Sequence, residues 1–259
     1  MPEAALGAGV WQPRFSHPCV KAAMSQRAGG VSRAPYDSLN LAVHVGDDPA
    51  AVAENRARFA RACGLQPVRL EQVHGADVVT LQGLPDDTPR ADGSATAVAG
   101  IGCEVQVADC LPVLIAHRGG RAVAAAHAGW RGLAAGVVEA ALQRCCELAG
   151  APVADMEAWL GPCIGPARFE VGAEVLQAFA RSSTAAATPG FVARAGAPGK
   201  WLADLPALAR ERLAAAGVLH VLGNDGGDDW CTVQQASRFF SFRRERVTGR
   251  LSAVVGLSG

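Results

Sequence analysis

The sequence predicts an α+β fold in which mixed β-sheets are flanked by helices, built as a single domain over residues 1–259. Strand-like and helix-like segments alternate along the chain, but several strand-like segments follow one another after only short breaks. This pattern differs from a regular βαβ succession and favours mixed sheets. No linker clearly divides the chain, and its length suits one large domain.

In the first half of the chain, one predicted helix precedes the strand-like segments. An N-cap, a proline at the first helical position and a terminal glycine delimit this helix. The predicted elements are a helix from Asp48 to Gly64, two short strands within residues 68–81 that break at His74–Gly75, a loop over residues 86–96, and two strands within residues 103–117 that break at Asp109–Cys110.

The second half begins with a strand of small apolar residues that leads to His127. Apolar side chains at helical spacing and terminal glycines then predict further helices. The elements that follow are a helix over residues 133–150, a strand over residues 157–161, a helix that begins near Gly172, an irregular loop over residues 182–200, a helix from Asp204 to Gly217, and strands over residues 220–223, 238–246 and 248–257.

Charge and cysteine usage exclude several classes of protein. Lys plus Arg equals Asp plus Glu, at 24 each, so no net field attracts nucleic acid or an anionic membrane. No uncharged apolar segment is long enough to span a bilayer, and the N-terminus lacks the pattern of a secretory signal. The eight cysteines are spread over a long chain, which argues against a disulfide scaffold. We therefore expect a cytoplasmic protein with reduced thiols.

Four polar breaks place a His or a Cys at the end of a strand: QVHG at 72–75, ADC at 108–110, HAGWRG at 127–132 and GPCIG at 161–165. Loops meet at strand ends, where binding sites are commonly built. His74, Cys110 and His127 together offer two imidazoles and a thiolate, which suit zinc. Three protein ligands leave a fourth position for water or substrate, as in a catalytic site. The spacing of the three residues carries no information by itself.

Each of these residues also has a structural interpretation. A histidine at the end of a buried strand most often hydrogen-bonds the backbone, and a free cysteine such as Cys110 is most often a small buried hydrophobe. Cys163 is either another such residue or a reactive thiol. Asp109 is either a solvated strand-edge residue or a hydrogen-bond partner of a metal ligand. The residues alone indicate a mixed α/β protein with a candidate zinc site.

Six motifs occur together in an order found in one family: APYDSLNLAVHVGDDPAAVAENR, QVHGADVV, ADCLPVL, HAGWRGLAAGVV, GPCIGPARFEVG and FFSFRRERVTGR. Over nearly its whole length the chain resembles the YfiH/YlmD/FAMIN family, also named the multicopper polyphenol oxidase (laccase) family. The resemblance implies a YfiH-like α+β fold. It also implies that His74, Cys110 and His127 are zinc ligands, with copper as the alternative metal.

The same resemblance implies a purine nucleoside enzyme. Such an enzyme cleaves adenosine, inosine and S-methyl-5′-thioadenosine with phosphate, giving the base and (methylthio)ribose 1-phosphate, and it deaminates adenosine to inosine. Water activated by zinc suits deamination, with Asp109 as the candidate for proton transfer. Our candidates for the phosphate site are Arg27, Arg243 and the GPCIG loop with Cys163, because guanidinium groups and loop amides suit anions. We expect a monomer whose partners are small molecules.

Three alternatives have different requirements. A copper phenol oxidase is consistent with a His₂Cys site, but such sites usually add an axial Met, and the chain has only three methionines and six histidines. A cysteine hydrolase would use Cys110 or Cys163 as its nucleophile and His127 as its base. A non-enzymatic binding domain would use the zinc only to stabilise its fold.

Overall fold

Two large β-sheets pack face to face, and helices cover the outer face of each. The computed structural model describes residues 4–5, 9–182 and 190–259. Sheet one has the spatial order β1 (Ala4–Ala5), β2 (Val10–Gln12), β3 (Val20–Ser25), β15 (Leu251–Leu257), β7 (Ile101–Val107) and β4 (Gln66–Val68). Sheet two has the order β14 (His220–Gly223), β10 (Met156–Leu160), β8 (Leu111–His117), β9 (Val123–Ala128), β6 (Gly93–Thr96) and β5 (Val78–Thr80).

A third, small sheet and the helices complete the fold. The small sheet has the order β11 (Glu170–Gly172), β13 (Lys200–Ala203) and β12 (Phe191–Ala193). The helices are α1 (Pro49–Cys63), α2 (Trp130–Ala135), α3 (Val137–Ala149), α4 (Ala173–Ser182), α5 (Leu205–Ala216) and α6 (Phe242–Glu245). Strand pairs β4–β7, β5–β6 and β10–β14 are parallel and the other pairs are antiparallel, which confirms the predicted α+β fold with mixed sheets.

The two faces of each sheet belong to different parts of the core. In β15, Val255 faces the layer between the sheets together with Trp159, whereas its neighbour Val254 packs with Phe59 of α1. In β9, Ala125 faces the same intersheet layer, and the residues on either side of it pack beneath α3 and α5. Because side chains alternate along a strand, these apolar runs bury both of their faces.

Several predicted helices are confirmed by their caps. The side chain of Asp48 accepts a hydrogen bond from the Ala50 amide, and Gly64 ends α1 in the left-handed conformation. Asp204 caps α5 in the same way, and Gly217 ends it. A side-chain acceptor satisfies an amide that the first turn of a helix leaves unpaired. None of the helices in the described ranges is long and apolar enough to cross a membrane.

The structure corrects four predicted elements. Residues 86–96 were predicted as a loop, but residues 93–96 form β6 because they pair with β5 and β9 on either side. The helix predicted over residues 133–150 starts earlier and divides into α2 and α3, because Gly136 adopts a φ of 96° between them.

Strand β12 occupies part of the predicted loop over residues 182–200, of which residues 183–189 lie outside the described residues. The strand predicted over residues 238–246 is wrong over residues 242–245, which form α6, because Ser241 caps a helical turn there by accepting from the Arg244 amide.

Candidate metal centre

The three predicted zinc ligands converge at one end of the layer between the two sheets. The chain crosses from sheet one to sheet two between β4 and β5, where it carries His74, and again between β7 and β8, where it carries Cys110. His127 is the penultimate residue of β9 and pairs with Pro112 at the start of β8. It shares the face of Ala125, so its side chain points into the intersheet layer.

The donor atoms of His74, Cys110 and His127 all lie within 4.8 Å of one another. The Cys110 Sγ is 3.8 Å from the His74 Nε2. Two donors on one tetrahedral zinc, with Zn–N and Zn–S bonds of roughly 2.1 and 2.3 Å, are about 3.6 Å apart. The residues therefore fit a single zinc ion with little rearrangement. In the described part of the chain, this is the one group of three such donors at metal-binding distance.

A buried carboxylate that the sequence analysis missed organises this cluster. Asp92, which is completely buried, accepts a hydrogen bond from His127 Nδ1 at 2.8 Å. This contact leaves Nε2 of His127 as the nitrogen free to bind a metal, an arrangement common around metal-bound histidines. Asp92 also accepts from the backbone amides of Val73, His74 and Gly75 at 3.1, 2.9 and 2.6 Å. One side chain thus holds two of the three candidate ligands.

The electrostatics of the cluster favour a Cys110 thiolate beside a protonated His127. Burial would raise the pKa of the Cys110 thiol, but the imidazoles of His127 and His74 hold this pKa below its ordinary value. Burial opposes protonation of His127, but the Cys110 thiolate and the Asp92 carboxylate raise its pKa. Burial would also raise the pKa of Asp92, and hydrogen bonds from His127 and from the backbone amides keep it low. A thiolate is the form of cysteine that binds metals, and a metal on His127 would have to take the place of its proton.

Both crossings between the sheets have a strained backbone conformation at the cluster. His74 has a φ of 61° and Asp109 a φ of 93°, values that non-glycine residues adopt rarely and at a cost of about 1–3 kcal/mol. The Asp92 carboxylate holds the first of these turns. Asp109 holds the second, since its carboxylate accepts from the Thr232 hydroxyl and from the Arg243 amide, each at 2.6 Å.

A cavity of about 660 Å³ opens directly above the cluster. This size falls in the range of small-molecule sites. Asp109 and Glu71 are the acidic residues in its lining. Its other polar and aromatic lining includes arginines, histidines and large rings: Arg131, Arg243, Arg246, Arg250, His44, His74, His127, Trp130, Phe169 and Phe242. Basic groups therefore outnumber acidic ones around the cavity.

The structure does not bring every predicted site residue to this cavity. Arg243 lines it. Arg27 does not, and its guanidinium group is paired with Asp37 and Glu245. Cys163 is fully buried elsewhere, burial raises its thiol pKa well above the ordinary value, and Asn224 donates to its sulfur. A buried thiol with a raised pKa is a poor nucleophile.

Sequence reasoning had no means to identify Asp92. It lies in RADGSAT, a segment of small and polar residues that reads as a solvated loop. Its burial results from the pairing of β6 with β9 and from contacts with residues 73–75, which are distant in sequence. Arg131 and Arg246 were likewise not predicted as site residues. The signal for Arg131 was its place in the HAGWRG motif, four residues after His127.

Comparison with known sequences gives a consistent set of relatives. A family model described as multi-copper polyphenol oxidoreductase laccase matches residues 21–258. A protein of Pseudomonas aeruginosa named as a purine nucleoside phosphorylase is 49% identical over 238 residues, which cover 92% of this chain and 93% of the relative. The purine nucleoside phosphorylase YfiH of Escherichia coli K12 is 49% identical over 240 residues, which cover 92% and 94%.

Solved structures share the whole architecture. A crystal structure of a Neisseria meningitidis protein has 43% sequence identity and a TM-score of 0.86, with 97% of this chain and 100% of that chain covered. The crystal structure of YlmD from Geobacillus stearothermophilus has 30% identity and a TM-score of 0.90, with both chains covered completely. The likeness therefore extends over the sheets and the helices of the whole fold.

Proposed function

The chain belongs to the multi-copper polyphenol oxidoreductase laccase family, and we propose that it is a metal-dependent purine nucleoside phosphorylase that also deaminates adenosine. The proposed substrates are adenosine, inosine and S-methyl-5′-thioadenosine, with phosphate as the second substrate. One observation carries this proposal: a cavity large enough for a nucleoside has a His–Cys–His cluster at its base and arginines in its wall. The names of the relatives support the same activity.

Phosphorolysis requires that an anion and a nucleoside be held together. A phosphate oxygen bonds to C1′ of the ribose while the bond from C1′ to the purine N9 breaks, and the electron pair passes to the base, which takes up a proton. The cavity arginines, Arg243 among them, give the cavity wall a positive charge that favours the phosphate. Trp130, Phe169 and Phe242 provide aromatic faces on which a purine ring can stack.

Deamination uses water in place of phosphate. The water oxygen bonds to C6 of adenine, the bond from C6 to the amino nitrogen breaks, and ammonia leaves after that nitrogen gains a proton. A zinc ion on His74, Cys110 and His127 would lower the pKa of its water and so make a nucleophile available at neutral pH. We propose Asp109 for proton transfer, since it lines the cavity and directly precedes Cys110 in the chain.

Zinc suits the donor set better than copper does. A copper site of the His₂Cys type usually adds a weak axial Met. Met24 and Met156 are completely buried and neither lines the cavity. We also propose a monomer that acts in the cytoplasm, because one chain supplies all three donors and the cysteines are all free thiols.

The decisive experiment combines metal analysis with product analysis. Purified protein is incubated with adenosine in the presence and absence of phosphate, and base, inosine and ribose 1-phosphate are separated by chromatography. We expect about one zinc per chain, adenine only when phosphate is present, and inosine in both conditions. Zinc-loaded protein that converts adenosine in neither condition would refute the proposed function. Oxidation of a phenol in air by a blue, copper-loaded protein would establish the oxidase instead.

A second candidate, a cysteine hydrolase, is favoured by the chain of contacts from Asp92 through His127 to Cys110. A carboxylate that orients an imidazole beside a thiolate is the arrangement that activates a cysteine nucleophile. Iodoacetamide separates the two mechanisms. If alkylation abolishes turnover while zinc stays bound, Cys110 acts as a nucleophile. If zinc protects Cys110 from alkylation, and its removal exposes the thiol, Cys110 is a metal ligand.

A further inference from the structure

We propose that Arg131 and Arg246 form the binding site for the phosphate substrate, at the wall of the cavity above the His–Cys–His cluster. The proposal rests on the proposed function, because phosphorolysis requires a phosphate beside the ribose. It differs from the expectation drawn from the sequence, which favoured Arg27, Arg243 and the GPCIG loop.

The GPCIG loop cannot bind an anion through its backbone, because its amides are already used. The amides of Gly161, Cys163 and Ile164 donate to the carbonyls of Pro112, Trp230 and Asp109, at 2.9, 3.2 and 2.9 Å. The Gly165 amide donates to the Cys231 sulfur at 3.2 Å, and Pro162 has no amide hydrogen. An anion would have to break these contacts before it could bind here.

Two of the four arginines in the cavity wall are also occupied. Both terminal nitrogens of Arg243 donate to the Glu170 carbonyl, at 3.3 and 3.4 Å. Arg250 donates to the Thr248 and Gly249 carbonyls, each at 3.1 Å. These contacts hold the two side chains against the protein and use donors that a phosphate would need.

Arg131 and Arg246 are the cavity arginines whose guanidinium groups have no hydrogen bond or ion pair within the described residues. A guanidinium group presents several donors in one plane, which match phosphate oxygens in pairs. Unpaired cations that face a cavity with few acidic groups therefore favour an anionic ligand.

Both side chains are nevertheless positioned. The Arg131 guanidinium carbon lies 4.4 Å from the centre of the Trp130 ring, a stacking contact that restricts the side chain without using its hydrogen-bond donors. Arg246 follows α6 with a φ of 63°, and its guanidinium carbon lies 5.9 Å from the centre of the Phe242 ring. Each arginine rests on an aromatic ring that itself lines the cavity.

The test uses the zinc-loaded full chain with Arg131→Gln and Arg246→Gln. Removal of a charge-assisted contact worth about 1.5–3 kcal/mol corresponds to roughly a 10- to 150-fold loss of phosphate binding. We expect each substitution to raise the KM for phosphate at least tenfold, with the KM for adenosine unchanged. Deamination needs no phosphate, so its rate should also stay unchanged. Arg144→Gln is the matched control, since Arg144 lies on the outer side of α3 and pairs with Glu147.

Calorimetric titration with inorganic phosphate separates this proposal from the proposed function. If the natural chain binds phosphate but cleaves no nucleoside, the proposed function fails, and weaker binding by the two variants still supports the site. If both variants keep the phosphate affinity and KM of the natural chain, the proposal is overturned. It is also overturned if the natural chain does not bind phosphate. The same holds if Arg243→Gln raises the KM for phosphate while Arg131→Gln and Arg246→Gln do not.

Discussion

Two histidines and one cysteine lie near each end of the β8–β9 hairpin, but within the described residues only one end brings its three donor atoms to metal-binding distance. At the cavity end the residues are His74, Cys110 and His127. At the other end, where β8 turns into β9, they are His17, Cys19 and His117. The pairing of Pro112 with His127 and of Ala116 with Val123 places the two groups at opposite ends of the same hairpin.

The two ends differ in what the side chains contact. At the far end, Nδ1 of His117 accepts from the Gly119 and Arg121 amides at 3.2 and 3.4 Å. Nδ1 of His17 contacts the Cys19 sulfur at 2.9 Å. Among the described residues, no carboxylate hydrogen-bonds either imidazole there. The comparison teaches that residue type does not define a metal site. A buried carboxylate that orients the donors, and a cavity beside them, distinguish the candidate site from the other end.

Replacing the cysteine at each end should have the largest effect and the clearest contrast. Cys110→Ser removes the thiolate, so we expect zinc content below about a tenth of an ion per chain and at least about a thousandfold loss of phosphorolysis. Cys19→Ser should keep both. Metal analysis and steady-state kinetics on the two proteins give the answer. Equal loss of zinc in both variants would contradict the prediction that only the cavity end binds the metal.

The carboxylate near each end provides the second comparison. Asp92→Asn places an amide group where backbone amides and His127 need an acceptor, so we expect zinc affinity to fall roughly 10- to 100-fold. Asp155 acts on His117 through its charge, and Asp155→Asn should leave zinc affinity unchanged. Competition with a chromophoric chelator measures the affinity without reference to turnover. If Asp92→Asn binds zinc as tightly as the natural chain, Asp92 does not orient the ligands.

One glycine at each end tests packing. A Cβ at Gly129 would lie 3.0 Å from the Cys110 sulfur and from the His74 ring, so Gly129→Ala should weaken zinc binding several-fold with little change in folding. Gly120 has a φ of 68°, and a Cβ there would lie 2.4 Å from the Cys19 sulfur. Gly120→Ala should therefore lower the free energy of unfolding by about 1–3 kcal/mol and leave zinc binding intact. Zinc titration should detect the change in Gly129→Ala, and denaturation should detect the change in Gly120→Ala.

Removal of the metal should have the smallest effect on structure. Apolar layers on both sides of the two sheets hold the fold, so we expect the circular dichroism spectrum of the chelated protein to match that of the zinc form. Bound zinc would raise the free energy of unfolding only through its binding to the folded state, by about 2.7 kcal/mol when free zinc is a hundred times its dissociation constant. Unfolding on chelation would instead identify a zinc that stabilises the fold.

The fold was predictable where local signals and burial agree. Long apolar runs predicted β7, β8, β9 and β15, and caps such as Asp48 and Gly217 set the ends of helices. Short elements such as β6 were not predicted, because GSAT has few apolar residues and no clear hydrophobic period. It forms a strand because it pairs with β5 on one side and β9 on the other. Tertiary pairing overrides weak local preference in such segments.

The candidate site was only partly predictable, for a related reason. His74, Cys110 and His127 interrupt apolar strands, so the pattern of the sequence exposes them. Asp92 carries no such mark, and the choice among arginines depends on which guanidinium groups the fold has already paired. The sequence shows the number of arginines but not their partners. For Arg27 the partner is Glu245, which is 218 residues away.

The place of β15 in sheet one has a consequence for how the protein is made. This strand lies between β3 and β7, yet it comes from residues 251–257. A ribosome adds about 5–20 residues per second, so β15 is synthesised roughly 7–30 seconds after β7 and roughly 11–45 seconds after β3. Arg246 leaves the ribosome just before it. The part of the cavity wall that Arg246 supplies is therefore completed only after nearly all of the described chain has been synthesised.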